Sequence, residues 1–211
     1  HNEQEFRRIA LAVYHFQFAN NSLYRSYCEL LDRVPGKVTD LAGIPFLPIS
    51  FFKSHKVITT GFEPELVFRS SGTTGQATSA HYLRSIDLYE QSFLKGFESF
   101  FGRPRDYCII GLLPSYLERN DSSLVYMMNR LIQETGDPHS GFYLNDLERL
   151  AHTLGSLERA GRKTVLFGVT FALLDFALQF PQQLQNTMVV ETGGMKGRRK
   201  EMTTEEGHAL L

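Results

Sequence analysis

Thr164-Val165-Leu166-Phe167, then Phe171 to Phe180 closed by Pro181, then Thr187-Met188-Val189-Val190: this run sets the architecture. Two short, β-branched apolar segments bracket a stretch that is apolar on nearly every side. A continuously apolar strand needs cover on both faces, and a helix that is apolar all round is buried. The run therefore reads as strand, buried helix, strand. The same alternation continues upstream. Tyr107 to Leu113 is a buried strand, Leu124, Met127, Met128 and Leu131 mark a helix, and Leu147, Leu150, Leu154 and Leu157 mark another. Alternation of this kind predicts βαβ units and an α/β fold with a mostly parallel sheet flanked by helices.

Further toward the amino terminus the pattern changes. Phe6, Ile9, Ala10, Val13 and Phe16 recur at helical spacing, which predicts a helix over 3–19, and a second helix runs from Ser22 to Asp32 before Pro35-Gly36. Ile44-Pro45-Phe46-Leu47-Pro48-Ile49-Ser50-Phe51-Phe52-Lys53 carries two prolines, which exclude a central strand and predict an extended apolar segment. Residues 1–60 are thus expected to form a helical N-terminal extension packed on a main α/β domain of residues 61–211. Within that domain Leu66-Val67-Phe68-Arg69 reads as a strand and Ala80-His81-Tyr82-Leu83 as its return. Ile86, Tyr89, Phe93, Phe97 and Phe100 mark a long helix with Ser85 as its cap. Thr203 and Glu206 form a capping box for a final helix. No internal repeat or low-complexity tract interrupts the chain.

The 211 residues are 42% hydrophobic and 21% charged, an ordinary balance for a globular protein with a sizeable core. A formal net charge of −1 supplies no global field toward nucleic acid or an anionic membrane. Two cysteines, Cys28 and Cys108, are too few for a disulfide framework, and Cys108 lies in an apolar run where a thiol packs as a small hydrophobe. With no signal peptide and no apolar run of membrane-spanning length, a cytoplasmic location is expected. The chain opens on His1 and closes on Ala209-Leu210-Leu211 inside a helical pattern, so a fragment of a longer protein is expected.

Between the two strands of the 66–83 region lies Ser70-Ser71-Gly72-Thr73-Thr74-Gly75. Two glycines allow a tight turn that points successive N–H groups into one concavity, and four hydroxyls add donors, an arrangement suited to an anion. A Walker A loop is excluded, because no lysine follows Gly75 and the setting is strand–loop–strand. The same composition also suits a polar hairpin with no ligand.

This loop resembles the signature phosphate loop of the adenylate-forming superfamily, which includes acyl-CoA synthetases, arylacetate-CoA ligases and firefly luciferase. Ile44 to Lys53 and Glu191-Thr192-Gly193-Gly194-Met195-Lys196-Gly197-Arg198 resemble its acyl-protein synthetase branch, the LuxE type of bacterial luminescence fatty-acid reductase complexes. The resemblance covers roughly residues 40 to 208 in motif order and spacing. It implies the N-terminal part only of an acetyl-CoA synthetase-like fold, with residues 61–211 as a nucleotide-binding subdomain truncated at its C-terminus. It also implies that Ser70, Ser71, Gly72, Thr73, Thr74 and Gly75 hold the ATP phosphates, and that Gly193, Gly194 and Met195 contact adenine. The glycines follow a strand directly, at the carboxyl edge where open α/β sheets bind ligands; a plain strand-to-loop turn is the other reading. Ser115 and Tyr116, and Gly168 and Val169, are implied acyl-pocket residues after their own strands. A loop aromatic at Tyr116 and core packing around Phe171 are the plainer alternatives.

Many members follow the loop with Pro-Lys, where this chain has Ala77-Thr78, which removes a cation near the β- and γ-phosphates. By the same resemblance, the Mg²⁺-supporting Tyr-Gly-x-Thr-Glu motif, a ribose-binding Asp, a mobile lysine and the acyl-accepting cysteine all lie beyond Leu211. Neither Cys28 nor Cys108 matches that cysteine. Catalytic residues are therefore expected outside this chain, and residues 1–211 alone are expected to be inactive. His81 and His139 have no partners at metal-ligand spacing, so no metal is expected within the chain. No Gly-x-Ser-x-Gly elbow supports a serine hydrolase. The basic run Lys196, Arg198, Arg199, Lys200 reads as a solvated loop.

The expected activity is ATP-dependent conversion of a carboxylic acid, fatty before aromatic, to an acyl-adenylate, followed by transfer to a thiol of a protein cysteine or CoA. An acyl-reductase or acyltransferase partner is expected, with no nucleic acid and no membrane span. The competing readings are an arylacetate- or acyl-CoA ligase, a non-catalytic nucleotide-binding scaffold of an acyl-processing complex, and a purely structural domain.

Overall fold

The structure is a computed structural model that describes residues 2–70, 78–113 and 120–192. The chain divides into two compact units, residues 1–86 and 87–211.

The first unit combines the expected helical extension with the 66–83 hairpin. Helix α1 (Glu3–Asn20) starts on Asn2, whose side chain accepts from the Gln4 N–H, and α2 (Ser22–Leu30) starts on Asn21, which accepts from Tyr24. The Asn21 cap ends one helix and begins the next with no loop between them. A small core of Tyr14, Tyr24, Cys28 and Val38 joins them to the following segment. Helix α2 stops at Leu30, before the expected Asp32, which has a φ of 53°. The extended reading of residues 44–53 holds only in part. Residues 44–48 lack regular structure, whereas Phe51–Ser54 form a short helix, α3. The Phe51 N–H donates to the Pro48 carbonyl at 3.0 Å, so the second proline leads into a helical turn instead of prolonging the extended run. Strands β1 (Leu66–Arg69) and β2 (Ala80–Leu83) pair antiparallel as a two-stranded sheet of their own.

The second unit holds α4 (Ile86–Phe101), β3 (Cys108–Leu112), α5 (Ser123–Thr135), β4 (Gly141–Phe142), α6 (Leu147–Arg159), β5 (Thr164–Gly168), α7 (Thr170–Gln179) and β6 (Thr187–Glu191). The four strands are all parallel, in the order β4-β3-β5-β6. Every residue of β3 and β5 is buried, as central strands covered on both faces require. Phe97, Met128, Leu131, Leu150, Leu154, Leu157, Leu173 and Phe176 bring all four helices into that core. Strand β6 lies at the edge and leaves Met188 and Val189 exposed. Among the described residues no helix is long and apolar enough to cross a membrane.

Candidate functional site

Parallel register places the ends of β3, β5 and β6 side by side: Leu112 pairs with Gly168, and Gly168 with Glu191. The chain leaves all three strands at one carboxyl edge, where open α/β sheets take their ligands. The edge is knitted across strands. The Thr192 N–H donates to the Gly168 carbonyl at 2.8 Å, and the Thr170 hydroxyl donates to a Glu191 carboxylate oxygen at 2.5 Å. Val169 is the N-cap of α7, and its carbonyl accepts from the Ala172 and Leu173 N–H groups at 2.9 and 3.1 Å, so the helix starts directly after β5.

Gly168 is there for space. A Cβ at that position would lie 2.5 Å from Cγ of Leu173 and 2.6 Å from its Cδ2, so the first turn of α7 closes directly over the strand end. Val169 is 5% exposed and belongs to the core cluster. Of the four implied pocket residues, Gly168 and Val169 are described and both are buried, as is Thr170, while Glu191 beside them is exposed. Glu191 and Thr192 open the Glu191–Arg198 motif, and Thr170, which makes the crosslink, lies in the segment Phe167–Phe171 that resembles a pocket wall of the superfamily; the sequence assigns none of the three a role.

In the first unit, the β1–β2 hairpin carries Ser70 at its neck. The Ser70 N–H donates to the Ser79 carbonyl at 3.0 Å, and the Ser79 N–H donates back to the Ser70 hydroxyl oxygen at 3.0 Å. That hydroxyl accepts from the neck and keeps its own hydrogen as a donor. The hairpin is braced from outside by α3. The Phe52 ring stacks on His81 with centroids 4.7 Å apart and an interplanar angle of 18°, while Phe51 stacks on His55 at 5.0 Å and meets Tyr27 edge-on at 5.9 Å. Lys56 sits 5.2 Å over the Tyr82 ring. His81 is therefore the point at which the loop-bearing hairpin packs on α3, a role that the sequence, which places it in the return strand without metal-ligand partners, does not reveal. The adjacent aromatics Phe51 and Phe52, opposite the alternation of β2, were the available signal.

Ser71, Gly72, Thr73, Thr74 and Gly75, Ser115 and Tyr116, and Gly193, Gly194 and Met195 lie outside the described residues, as do the basic run after Met195 and the helix expected from Thr203. Among the described residues no group of three His, Cys, Asp or Glu side chains stands together to hold a metal.

The cysteines are poorly placed for acyl transfer. Cys108 is fully buried at the start of β3, the end of the sheet opposite the carboxyl edge. Burial pushes its thiol up to about 11, against the lowering contact from the Ser140 hydroxyl 3.7 Å away. Cys28 is likewise fully buried, and burial raises it too. Reactive thiols need thiolate character and access, and these have neither.

A protein-family model described as "Acyl-protein synthetase, LuxE" matches residues 1–206. The long-chain-fatty-acid–luciferin-component ligase of Vibrio harveyi is 41% identical over 69 residues, which are 32% of this chain and 18% of that relative. No solved structure matches the chain.

Proposed function

The chain belongs to the LuxE family of acyl-protein synthetases, and from that premise we propose that it activates a long-chain fatty acid with ATP as an acyl-adenylate and passes the acyl group to a protein thiol. The family match over residues 1–206 carries the reading. The Vibrio harveyi relative, named for a long-chain fatty acid, supports the acid class.

In the first step a carboxylate oxygen attacks the α-phosphorus of ATP and pyrophosphate leaves. In the second a thiol sulfur attacks the acyl carbonyl, the thiol proton departs, and AMP is the leaving group. Both partners of the first step are anionic, so the barrier is electrostatic and positional. Ser70, Ser71, Gly72, Thr73, Thr74 and Gly75 are the residues for the phosphates. The neck bonds of Ser70 support this, since they hold Ser70 in place while leaving its hydroxyl hydrogen to donate. Gly193, Gly194 and Met195, which follow β6, are the residues for adenine; the position of that strand end at the carboxyl edge supports the assignment. Ser115, Tyr116, Gly168 and Val169 are the residues for the acid; the place of Gly168 at the end of β5 supports its part in that assignment. Mg²⁺ would accompany ATP and neutralise charge on its phosphates. The acyl acceptor is a thiol other than Cys28 or Cys108.

The test is ATP–pyrophosphate exchange by the full-length protein across fatty and aryl acids. Exchange that depends on long-chain fatty acids is expected. Exchange driven by arylacetates alone would move the assignment to an arylacetate ligase, and the absence of exchange with every acid would leave a nucleotide-binding scaffold.

A further inference from the structure

Helix α1 buries one stripe in the small core of the first unit and leaves a second apolar stripe open. Phe6, Ile9 and Val13 recur at i, i+3 and i+7, and all three are exposed. Facing them, Leu41 to Leu47 runs past the helix, and the two walls enclose a groove of about 520 Å³ floored by Tyr14 and Tyr24. Its size falls in the range of sites that bury small molecules, roughly 300–1,000 Å³.

The chemistry of the lining is one-sided. No charged side chain is part of it. Both tyrosine hydroxyls already donate to backbone carbonyls, Tyr14 to Arg33 at 2.7 Å and Tyr24 to Pro45 at 2.6 Å, so neither hydrogen is left for a polar ligand. The amide of Gln17 is the remaining polar side chain. A nucleotide, a sugar or a carboxylate would lose its water here and regain almost no hydrogen bonds. A linear alkyl chain loses nothing.

We propose that this groove between α1 and residues 41–47 is a binding site for the alkyl chain of a long-chain acyl group. The proposal rests on the reading that the protein handles long-chain acids, and it adds a site that the loop at residues 70–75 and the carboxyl edge do not supply. Affinity then grows with chain length, about three- to fourfold per methylene (about 0.8 kcal/mol each), until the groove is full.

The experiment uses the full-length protein and a tetradecanoic acid bearing a diazirine near its methyl end. After irradiation, labelled peptides are mapped by mass spectrometry, with ATP–pyrophosphate exchange and native mass measured in parallel. Labels on residues 6–17 and 41–47, competed by unlabelled tetradecanoate better than by decanoate, are expected. Val13→Asp and Phe46→Asp, two exposed positions on opposite walls, should each weaken tetradecanoate binding more than tenfold while far-UV circular dichroism stays native. Labels confined elsewhere while acid-dependent exchange persists would overturn the groove and leave the function standing. Labels in the groove without any acid-dependent exchange would keep the alkyl site and sink the synthetase reading. If Val13→Asp converts a dimer to a monomer with labelling unchanged, the groove is an interface between copies and the proposal falls.

Discussion

The neck of the β1–β2 hairpin and the carboxyl edge of the four-stranded sheet both carry hydroxyl residues at strand ends, but they are built in different ways. The sheet edge is fixed by packing. β3 and β5 are wholly buried, Gly168 has no room for a methyl group, and Val169 is core. The hairpin has one four-residue ladder with Phe68 and Ala80 as its buried residues, and is pinned at discrete points that include two hydrogen bonds between Ser70 and Ser79 and the stack of His81 on Phe52. Close packing is intolerant of volume change, whereas a two-stranded ribbon contributes little stability of its own. Damage at the sheet should therefore register in folding, and damage at the hairpin in ligand affinity.

Leu166→Ala, in the middle of β5, tests the packed side most severely. It should cost about 2–5 kcal/mol in denaturant unfolding, because a fully enclosed strand cannot collapse around the void. Gly168→Ala should cost about 1–3 kcal/mol by forcing Leu173 and the start of α7 outward. A loss near zero would mean that the strand–helix turn yields easily and that the contrast with the hairpin is overstated.

A smaller effect is expected where Glu158 of α6 anchors the approach to β6. Its carboxylate accepts from the Gln185 and Asn186 N–H groups at 3.0 Å and from the Thr187 hydroxyl at 2.6 Å. Burial alone would raise its pKa, but these hydrogen bonds outweigh that and hold it below its ordinary value of 4.5. A depressed carboxylate contributes stability that is complete above the unfolded pKa and is lost as pH falls through the folded one. Glu158→Gln should thus cost about 0.5–1.5 kcal/mol near neutrality, since the site is partly open to solvent. The gap from the parent protein should shrink as pH drops below 4.5; a gap constant from pH 7 to pH 3 would remove the carboxylate from the explanation.

The least change in stability belongs to His81→Ala. An aromatic stack is worth about 0.5–1.5 kcal/mol, and here it braces the loop-bearing ribbon. Melting should move little, while KM for ATP in the full-length enzyme rises about two- to tenfold and His81→Phe restores it. A large fall in melting temperature with KM unchanged would make the stack structural only and erase the distinction between the two regions.

What could be read in advance follows from the range of the forces involved. Apolar runs report burial locally, so the expected strand Tyr107 to Leu113 appears as Cys108–Leu112, and Thr187 to Val190 as Thr187–Glu191. Strand β4 has only two residues and no run to announce it. It pairs beside Gly111, where a Cβ would come within 2.9 Å of Phe142, a fit visible only once the strands are adjacent. The α3 turn was hidden by Pro48, which bars a strand yet accepts the first bond of a helical turn. At the hairpin, Ser70 stood out by composition. The stack between Phe52 and His81 joins residues far apart in the chain, and no local pattern encodes it. The turn at Gly168 is the same kind of case: a glycine after a strand is common, and only the position of Leu173 shows why this one is needed.

The chemistry itself can be followed atom by atom. A long-chain fatty acid labelled with ¹⁸O in its carboxylate, turned over by the full-length protein with ATP and a thiol acceptor, should deliver one ¹⁸O to the phosphate of AMP, because the carboxylate oxygen that attacked the α-phosphorus stays there when the thiol takes the acyl group. Label in inorganic phosphate with ADP as co-product, or unlabelled AMP, would contradict activation through an adenylate.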